Sequence, residues 1–268
     1  MLSLISTPIG NLDDISLRAI DVIKSADFIY TEDTRSFKKI LDSIECKKKC
    51  KSFHEHNEDI VCKEIIKHLK NKKHVVLTCE AGTPAISDPG YKLIRECLNL
   101  NLKYTLIPGP SSLINAVVLS GLPTDKFSFY GFIPKKNNAQ HKLFQKVSND
   151  EKTAIMFESV KRLKKTIISI SKHLDNNRHI SVCREMTKIH EQIVQGNCED
   201  LLKKIDDGSL PLKGEIVLVI EGNITNNINI KLDNKVKDAF LDKLSISDAA
   251  KLLSLVTCLL YTSDAADD

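Results

Sequence analysis

Three clusters of glycine and proline could bring the backbone close to a ligand. They are Pro8-Ile9-Gly10-Asn11, the stretch from Gly82-Thr83-Pro84 to Asp88-Pro89-Gly90, and Pro108-Gly109-Pro110-Ser111-Ser112. Glycine admits close approach, and proline fixes the shape of a loop. Polar groups stand beside them. Glu32-Asp33-Thr34-Arg35 reads either as a helix N-cap, through Asp33 or Thr34, or as the charged lip of a crevice. His54-Glu55-His56-Asn57-Glu58 has two imidazoles at i, i+2, which share a side only in a strand, and no third ligand at metal-binding spacing. It reads as a helix-entry loop or a polar loop facing a substrate, and no metal is expected. Asp88, between Ser87 and Pro89, is a carboxylate in a rigid loop and a candidate ligand contact.

The surrounding pattern says where these clusters sit. Apolar runs at Leu2–Thr7, Phe28–Thr31, Val75–Cys79 and Tyr104–Ile107 read as strands, with amphipathic helices over Ser16–Ala26, Asp59–Asn71 and Tyr91–Leu100. That alternation predicts a largely parallel sheet covered by helices. The glycine and proline clusters then fall at strand carboxyl ends, where open α/β sheets bind ligands. A second series of strands, Phe127–Ile133, Thr153–Phe157, His179–Arg184, Gln192–Gln195 and Glu215–Ile220, has helices near 139–148, 160–174 and 198–206. Its closer spacing predicts a mixed sheet with antiparallel pairs. The chain therefore reads as α/β, with an N-terminal α/β domain over 1–115 and a C-terminal one over 120–225. An Asn-rich linker over 223–234 leads into a helical piece within 226–257, where 247–257 reads as an amphipathic helix with a Ser cap. The last stretch, 258–268, resembles a translated sequencing adapter; it is expected to be an artefact that truncates this helical piece.

Several functions are excluded at this stage. No G-x-G-x-x-G or G-x-x-x-x-G-K-[ST] occurs, which argues against a Rossmann dinucleotide site, a P-loop and the commonest class of methyltransferase. There is no H-E-x-x-H and no G-x-S-x-G. No apolar run is long enough to span a membrane and the N-terminus does not read as a signal peptide, so the expectation is a cytoplasmic protein. Eight scattered cysteines, of which only Cys46 and Cys50 approach ligand spacing, read as buried residues or free thiols. The net charge of +4 does not by itself announce a nucleic-acid binder. Basic residues are concentrated, however, with ten Lys/Arg against three Asp/Glu from Lys135 to Lys172 and six Lys against two acids from Lys38 to Lys51. Such runs are solvated helix faces or phosphate contacts.

The ordered set Thr7-Pro-Ile-Gly-Asn-Leu12, Glu32-Asp-Thr-Arg35, Phe53-His-Glu-His-Asn-Glu58, Ala81-Gly-Thr-Pro-Ala-Ile-Ser-Asp-Pro-Gly90, Pro108-Gly-Pro-Ser-Ser112, Ser120-Gly-Leu-Pro-Thr-Asp125 and Lys213-Gly-Glu-Ile-Val-Leu-Val-Ile-Glu-Gly222 resembles one family. It is the small-subunit ribosomal RNA 2′-O-methyltransferases of the tetrapyrrole methylase superfamily, and the resemblance runs from about residue 2 to 257. It implies two α/β domains of the class III methyltransferase type with S-adenosylmethionine in the cleft between them. It also implies a homodimer that methylates the ribose 2′-hydroxyl of a cytidine in 16S rRNA of the small ribosomal subunit.

The resemblance suggests that the cofactor is held by Pro8, Glu80, Ala81, Gly82, Thr83, Ser112, Leu113, Phe157, Glu185, Met186, Gly214 and Glu215. Two motifs depart from the family pattern: Cys79-Glu80 stands where Ser-Asp is usual, and Phe157-Glu-Ser-Val-Lys-Arg162 lacks the usual Pro-His before its arginine. Within the family motifs, Asp88, His56, His54 and Glu32 are the candidates for a general base. Arg35, Lys135, Lys136 and Arg162 are the expected RNA contacts. A small-molecule methylase acting on a tetrapyrrole and a non-catalytic RNA-binding assembly factor are the competing readings.

Overall fold

The computed structural model describes residues 1–223 together with 242, 245 and 248. Apart from these positions, the linker expected over 223–234, the helix over 247–257 and the tail from 258 lie outside the described residues. Residues 1–223 form one compact unit.

The first half contributes β1 (Leu2–Ile5), α1 (Leu17–Ser25), β2 (Phe28–Thr31), α2 (Thr34–Ser43), β3 (Cys50–Ser52), α3 (Glu58–Lys70), β4 (Val75–Thr78), α4 (Tyr91–Asn99), β5 (Tyr104–Ile107) and α5 (Ser112–Leu119). Its five strands run in the order β3-β2-β4-β1-β5, and every pairing is parallel. β1 and β4 are buried at every residue, Ser3 and Thr78 included, as the inner strands of a doubly covered sheet are. On one face α1 and α2 bury Ile23, Phe37 and Ile40 against Ile5, Ile29 and Val76. On the other, Ile65 and Leu69 of α3 and Leu93 of α4 close over Leu4 and Leu77. Each such side chain contributes roughly 1.5–3 kcal/mol by leaving water. α1 starts where Ser16 accepts the Ala19 N–H, and α2 where Asp33 accepts those of Arg35 and Ser36. The capping reading of Asp33 therefore holds.

The second half contributes β6 (Phe127–Phe132), α6 (Asn137–Asn149), β7 (Thr153–Ser159), α7 (Leu163–Ile170), β8 (Ile180–Arg184), β9 (Gln192–Gly196), α8 (Cys198–Asp206) and β10 (Glu215–Ile220). Its order is β6-β7-β10-β8-β9, with β6 and β7 parallel and the other pairs antiparallel. This is the mixed sheet that the strand spacing predicts.

Three elements are additions to the sequence reading: β3, α2 as a full helix, and α5. α5 runs across residue 115, the expected end of the first domain, and packs Leu113, Ala116 and Val117 on Ile155, Cys183 and Val217 of the second sheet. The seven cysteines among the described residues are free; Cys46 and Cys50 are half-buried and the others buried.

Candidate functional site

Parallel pairing puts the carboxyl ends of β1, β2, β4 and β5 on one edge of the first sheet. The loops that leave that edge include the three glycine and proline clusters and Glu32, and the loop after β3 that carries His54 and His56 leaves it too. The antiparallel register of the second sheet brings Ser159, at the end of β7, opposite Glu215, and Arg184, at the end of β8, opposite Ile216. The start of β10 and the ends of β7 and β8 therefore share an edge as well, and the two edges line common cavities.

The first cavity has a volume of about 400 Å3 and takes residues from both sheets. Its apolar wall includes Ile9, Leu113, Phe132, Phe157, Met186 and Val217. Its polar rim includes Thr83, Ser87, Asp88, Ser111, Ser112 and Glu215. Of the twelve residues expected at the cofactor, Ala81, Gly82, Thr83, Ser112, Leu113, Phe157, Met186, Gly214 and Glu215 line it. Pro8 and Glu80 line the neighbouring cavity instead. Glu185 lines neither. Its carboxylate accepts the Glu215 N–H at 2.8 Å and the Lys188 ammonium at 2.9 Å, so it braces the rim.

Local geometry explains why these loops hold their shape. Thr7 and Gly82 form an isolated antiparallel bridge. The Ser6 and Thr83 hydroxyls are hydrogen-bonded at 3.0 Å. Gly82 has φ +82° and Gly214 φ +89°, a region that side chains with a Cβ rarely adopt. A Cβ on Gly214 would also lie 2.4 Å from Glu185 Cδ. Non-glycine residues in the same left-handed region, Ala85 and Ser87 in one loop and Glu185 and Thr187 in another, cluster around the cavities.

This cavity fits S-adenosylmethionine. The apolar wall suits an adenine. No side chain caps α5, whose first residues Ser112 and Leu113 face the cavity, so its free N–H groups suit a carboxylate.

The second cavity, of about 630 Å3, shares Ile9, Ala81, Asp88 and Glu215 with the first. Asp88 thus stands where the two join. Burial, then repulsion from Glu32, pushes its carboxyl up to about 6; the Cys79 thiol opposes this, and Glu80 adds a lesser repulsion. Burial also raises Glu32, which lines the second cavity and accepts the Glu80 N–H at 3.3 Å. His54 and His56 line neither cavity. His54 lies close enough to Glu32 to oppose that rise, and its Nδ1 is buried without a partner among the described residues. The His56 ring stacks edge-on to His54 at 5.9 Å, and the residue is exposed.

The expected RNA contacts divide. Arg35 is almost fully exposed and, among the described residues, pairs only with Asp33, at 3.4 Å. Lys135 and Lys136 are exposed. Arg162 is turned inward, donating to the carbonyls of Ile133 at 3.1 Å and Pro134 at 2.9 Å and pairing with buried Glu158 at 3.2 Å. Three polar residues of the second cavity were not among the candidate site residues: Ser36 and Lys39 on α2, and Lys188. The signal was present in α2, where Ser36, Lys39 and Ile40 follow helical spacing.

Residues 1–202 match the family described as Tetrapyrrole (Corrin/Porphyrin) Methylases. The chain is 40% identical over 245 residues to a protein of Rickettsia prowazekii named Ribosomal RNA small subunit methyltransferase I, covering 91% of this chain and 86% of that one. A protein of the same name from Halalkalibacterium halodurans is 39% identical over 222 residues, 83% of this chain and 76% of its own. Among solved structures, diphthine synthase superposes with a TM-score of 0.62 at 14% identity, over 82% of this chain and 90% of that one. Uroporphyrin-III-C-methyltransferase of Thermus thermophilus gives 0.57 at 12%, over 82% and 93%. At these identities the two structures speak to the fold alone.

Proposed function

Since this chain belongs to the tetrapyrrole (corrin/porphyrin) methylase family, and within it to the relatives named Ribosomal RNA small subunit methyltransferase I, we propose that it methylates the ribose 2′-hydroxyl of a cytidine in 16S rRNA, with S-adenosylmethionine as donor. The observation that carries the reading is Asp88 at the junction of the two cavities. When bound, the donor supplies a methyl group on a sulfonium, which needs no metal to be electrophilic. The first cavity would hold its adenosine against Phe157 and Met186 and its carboxylate at the start of α5. Such positioning can supply a large part of the rate. The ribose hydroxyl would approach through the second cavity, where Asp88 accepts its proton as the oxygen–methyl bond forms and the methyl–sulfur bond breaks. A general base contributes about 10²–10⁴-fold. A carboxyl near 6 is mostly ionised at neutral pH yet basic enough to take that proton.

On this reading residues 1–115 and 120–225 are the two domains around the cleft, and Arg35, Lys135 and Lys136 meet phosphate. Two further elements support a homodimer. β5 is an edge strand with Tyr104 and Leu106 exposed, and α5 leaves Ile114, Val118 and Leu119 exposed beside its buried face. None of the described helices is long and apolar enough to cross a membrane, and the site of action would be the cytoplasm.

The test is transfer of a labelled methyl group from S-adenosylmethionine to small ribosomal subunits that lack the modification, followed by mapping of 2′-O-methyl ribose. Label in one cytidine is the expected result. Label in a tetrapyrrole acceptor and none in rRNA overturns the reading.

A further inference from the structure

The methyl donor accounts for one of the two cavities that meet at Asp88. The other is lined by Ser36, Lys39 and Ile40 of α2 and by Glu32 and Glu80. Its lining is chiefly polar, and its charges are not all spoken for. Lys188 is neutralised by Glu185 at 2.9 Å and Glu215 at 3.0 Å. Lys39 has no ion pair or hydrogen bond among the described residues.

The sheet beside this cavity carries a second anomaly. Thr31 and Thr78 are register partners at the ends of β2 and β4. They lie two residues beyond Ile29 and Val76, so they share the face on which α2 packs. Both hydroxyls are buried, and neither has a hydrogen-bond partner among the described residues. Neither threonine lines the cavity; Glu32 and Glu80, one and two residues further along the chain, do.

We propose that the second cavity is a nucleotide pocket, in which the nucleotide bearing the target hydroxyl leaves its base stack and lodges its base against α2. This rests on the RNA reading above. A stacked ribose stays at the surface of an A-form helix, flanked by its neighbours, whereas Asp88 lies in a recess shared with the donor cavity. An unstacked nucleotide reaches that recess, and contacts within the cavity offset the lost stacking. A cytosine edge offers an exocyclic amine and two acceptors. Glu32 and Glu80 are the acceptors for the amine, and Ser36 and Lys39 the donors to the ring nitrogen and carbonyl.

The experiment compares wild type with Ser36→Trp, which fills the pocket, and with Lys39→Ala and Lys39→Arg, on unmethylated small ribosomal subunits. Donor affinity is read by calorimetry and melting temperature by scanning. Ser36→Trp is expected to lose about 100-fold in kcat, because the hydroxyl no longer reaches the methyl group, with donor affinity unchanged. Lys39→Ala is expected to lose about tenfold in kcat/KM, and Lys39→Arg to recover most of it. A merely structural role for these positions would lower the melting temperature and donor affinity together, without rescue by arginine, and would overturn the proposal. So would a stable Ser36→Trp variant turning over at the wild-type rate. If Ser36→Trp does not fold, an unchanged kcat/KM for Lys39→Ala on its exposed site is sufficient to overturn it. A wild-type chain that binds the donor and methylates no rRNA overturns the RNA reading, and this proposal with it.

Discussion

Thr7 and Gly82 exchange both of their backbone hydrogen bonds, the Thr7 N–H donating to Gly82 O at 2.9 Å and the Gly82 N–H to Thr7 O at 3.0 Å. Two loops far apart in the chain are thereby closed into one wall. Pro8 and Ile9 face the cavities from one side of the bridge, and Ala81 and Thr83 from the other.

Gly82→Val should loosen that wall. A β-branched residue at φ +82° is strained whatever space surrounds it. The loop is expected to relax away from Thr7, and donor affinity to fall about tenfold, corresponding to a strain of roughly 1–2 kcal/mol. Calorimetric titration with S-adenosylmethionine checks this, and an unchanged affinity would show that the loop tolerates the new geometry.

Asp88 should set the pH dependence of methyl transfer. With its carboxyl at about 6, the single-turnover rate is expected to climb with pH, reach half-maximum near that value and level off above it. Asp88→Asn is expected to lower the rate by about 10²–10⁴-fold and flatten the profile. His56→Ala, at an exposed position outside both cavities, should leave the plateau nearly untouched. A profile that keeps its inflection in Asp88→Asn would point to Glu32 or His54.

The same shift makes a prediction about stability. The folded carboxyl is raised from 3.8 to about 6, so the fold prefers the protonated form. Stability from this group is complete below the unfolded value and lost as pH rises through the folded one. Asp88→Asn carries no charge at any pH. Its melting temperature relative to wild type should therefore rise between pH 4 and 7 and stay raised above that. Calorimetric scans across that range decide the matter; a constant difference would mean that the carboxyl does not titrate there.

Arg162 should separate from the basic residues near it in sequence. Arg162→Ala leaves buried Glu158, among the described residues, with only the Ser159 N–H at 2.7 Å and the Thr166 hydroxyl at 2.6 Å. It also removes a donor from the Ile133 carbonyl and leaves that of Pro134 with Gln140 Nε2 at 3.3 Å. The expected cost is about 2–3 kcal/mol of stability, read by denaturant titration. Charge reversal at Lys135 or Lys136 should instead leave stability alone and reduce the slope of log affinity against log salt by about 1 per contact.

The parallel sheet and its ligand edge were legible because their signals are local. Glycine and proline mark the carboxyl end of a strand, and β-α alternation implies the pairing. What stayed hidden depends on partners distant in sequence. α5 is apolar nearly all round, so no period separates Leu113 and Val117, which pack, from Ile114 and Val118, which face outward. β3, with three residues, is too short to announce itself. Lys39 belongs to a basic run that reads equally as a solvated face, and only the placement of α2 turns it toward a cavity. Arg162 shows the converse, a cation selected for its charge density and used to hold a turn. The insertion of β10 between β7 and β8 leaves no local trace at all.

That insertion has a consequence for how the chain is made. All strands of the first sheet have been synthesised once β5 ends at Ile107, whereas the second lacks its central strand until Ile220. At 5–20 residues per second, roughly ten seconds of translation separate the two events. Once made within that interval, β7 and β8 are without the neighbour that joins them, and the wall formed by Gly214 to Val217 does not yet exist. A nascent chain can therefore pair its first sheet early, yet completes the first cavity only with β10.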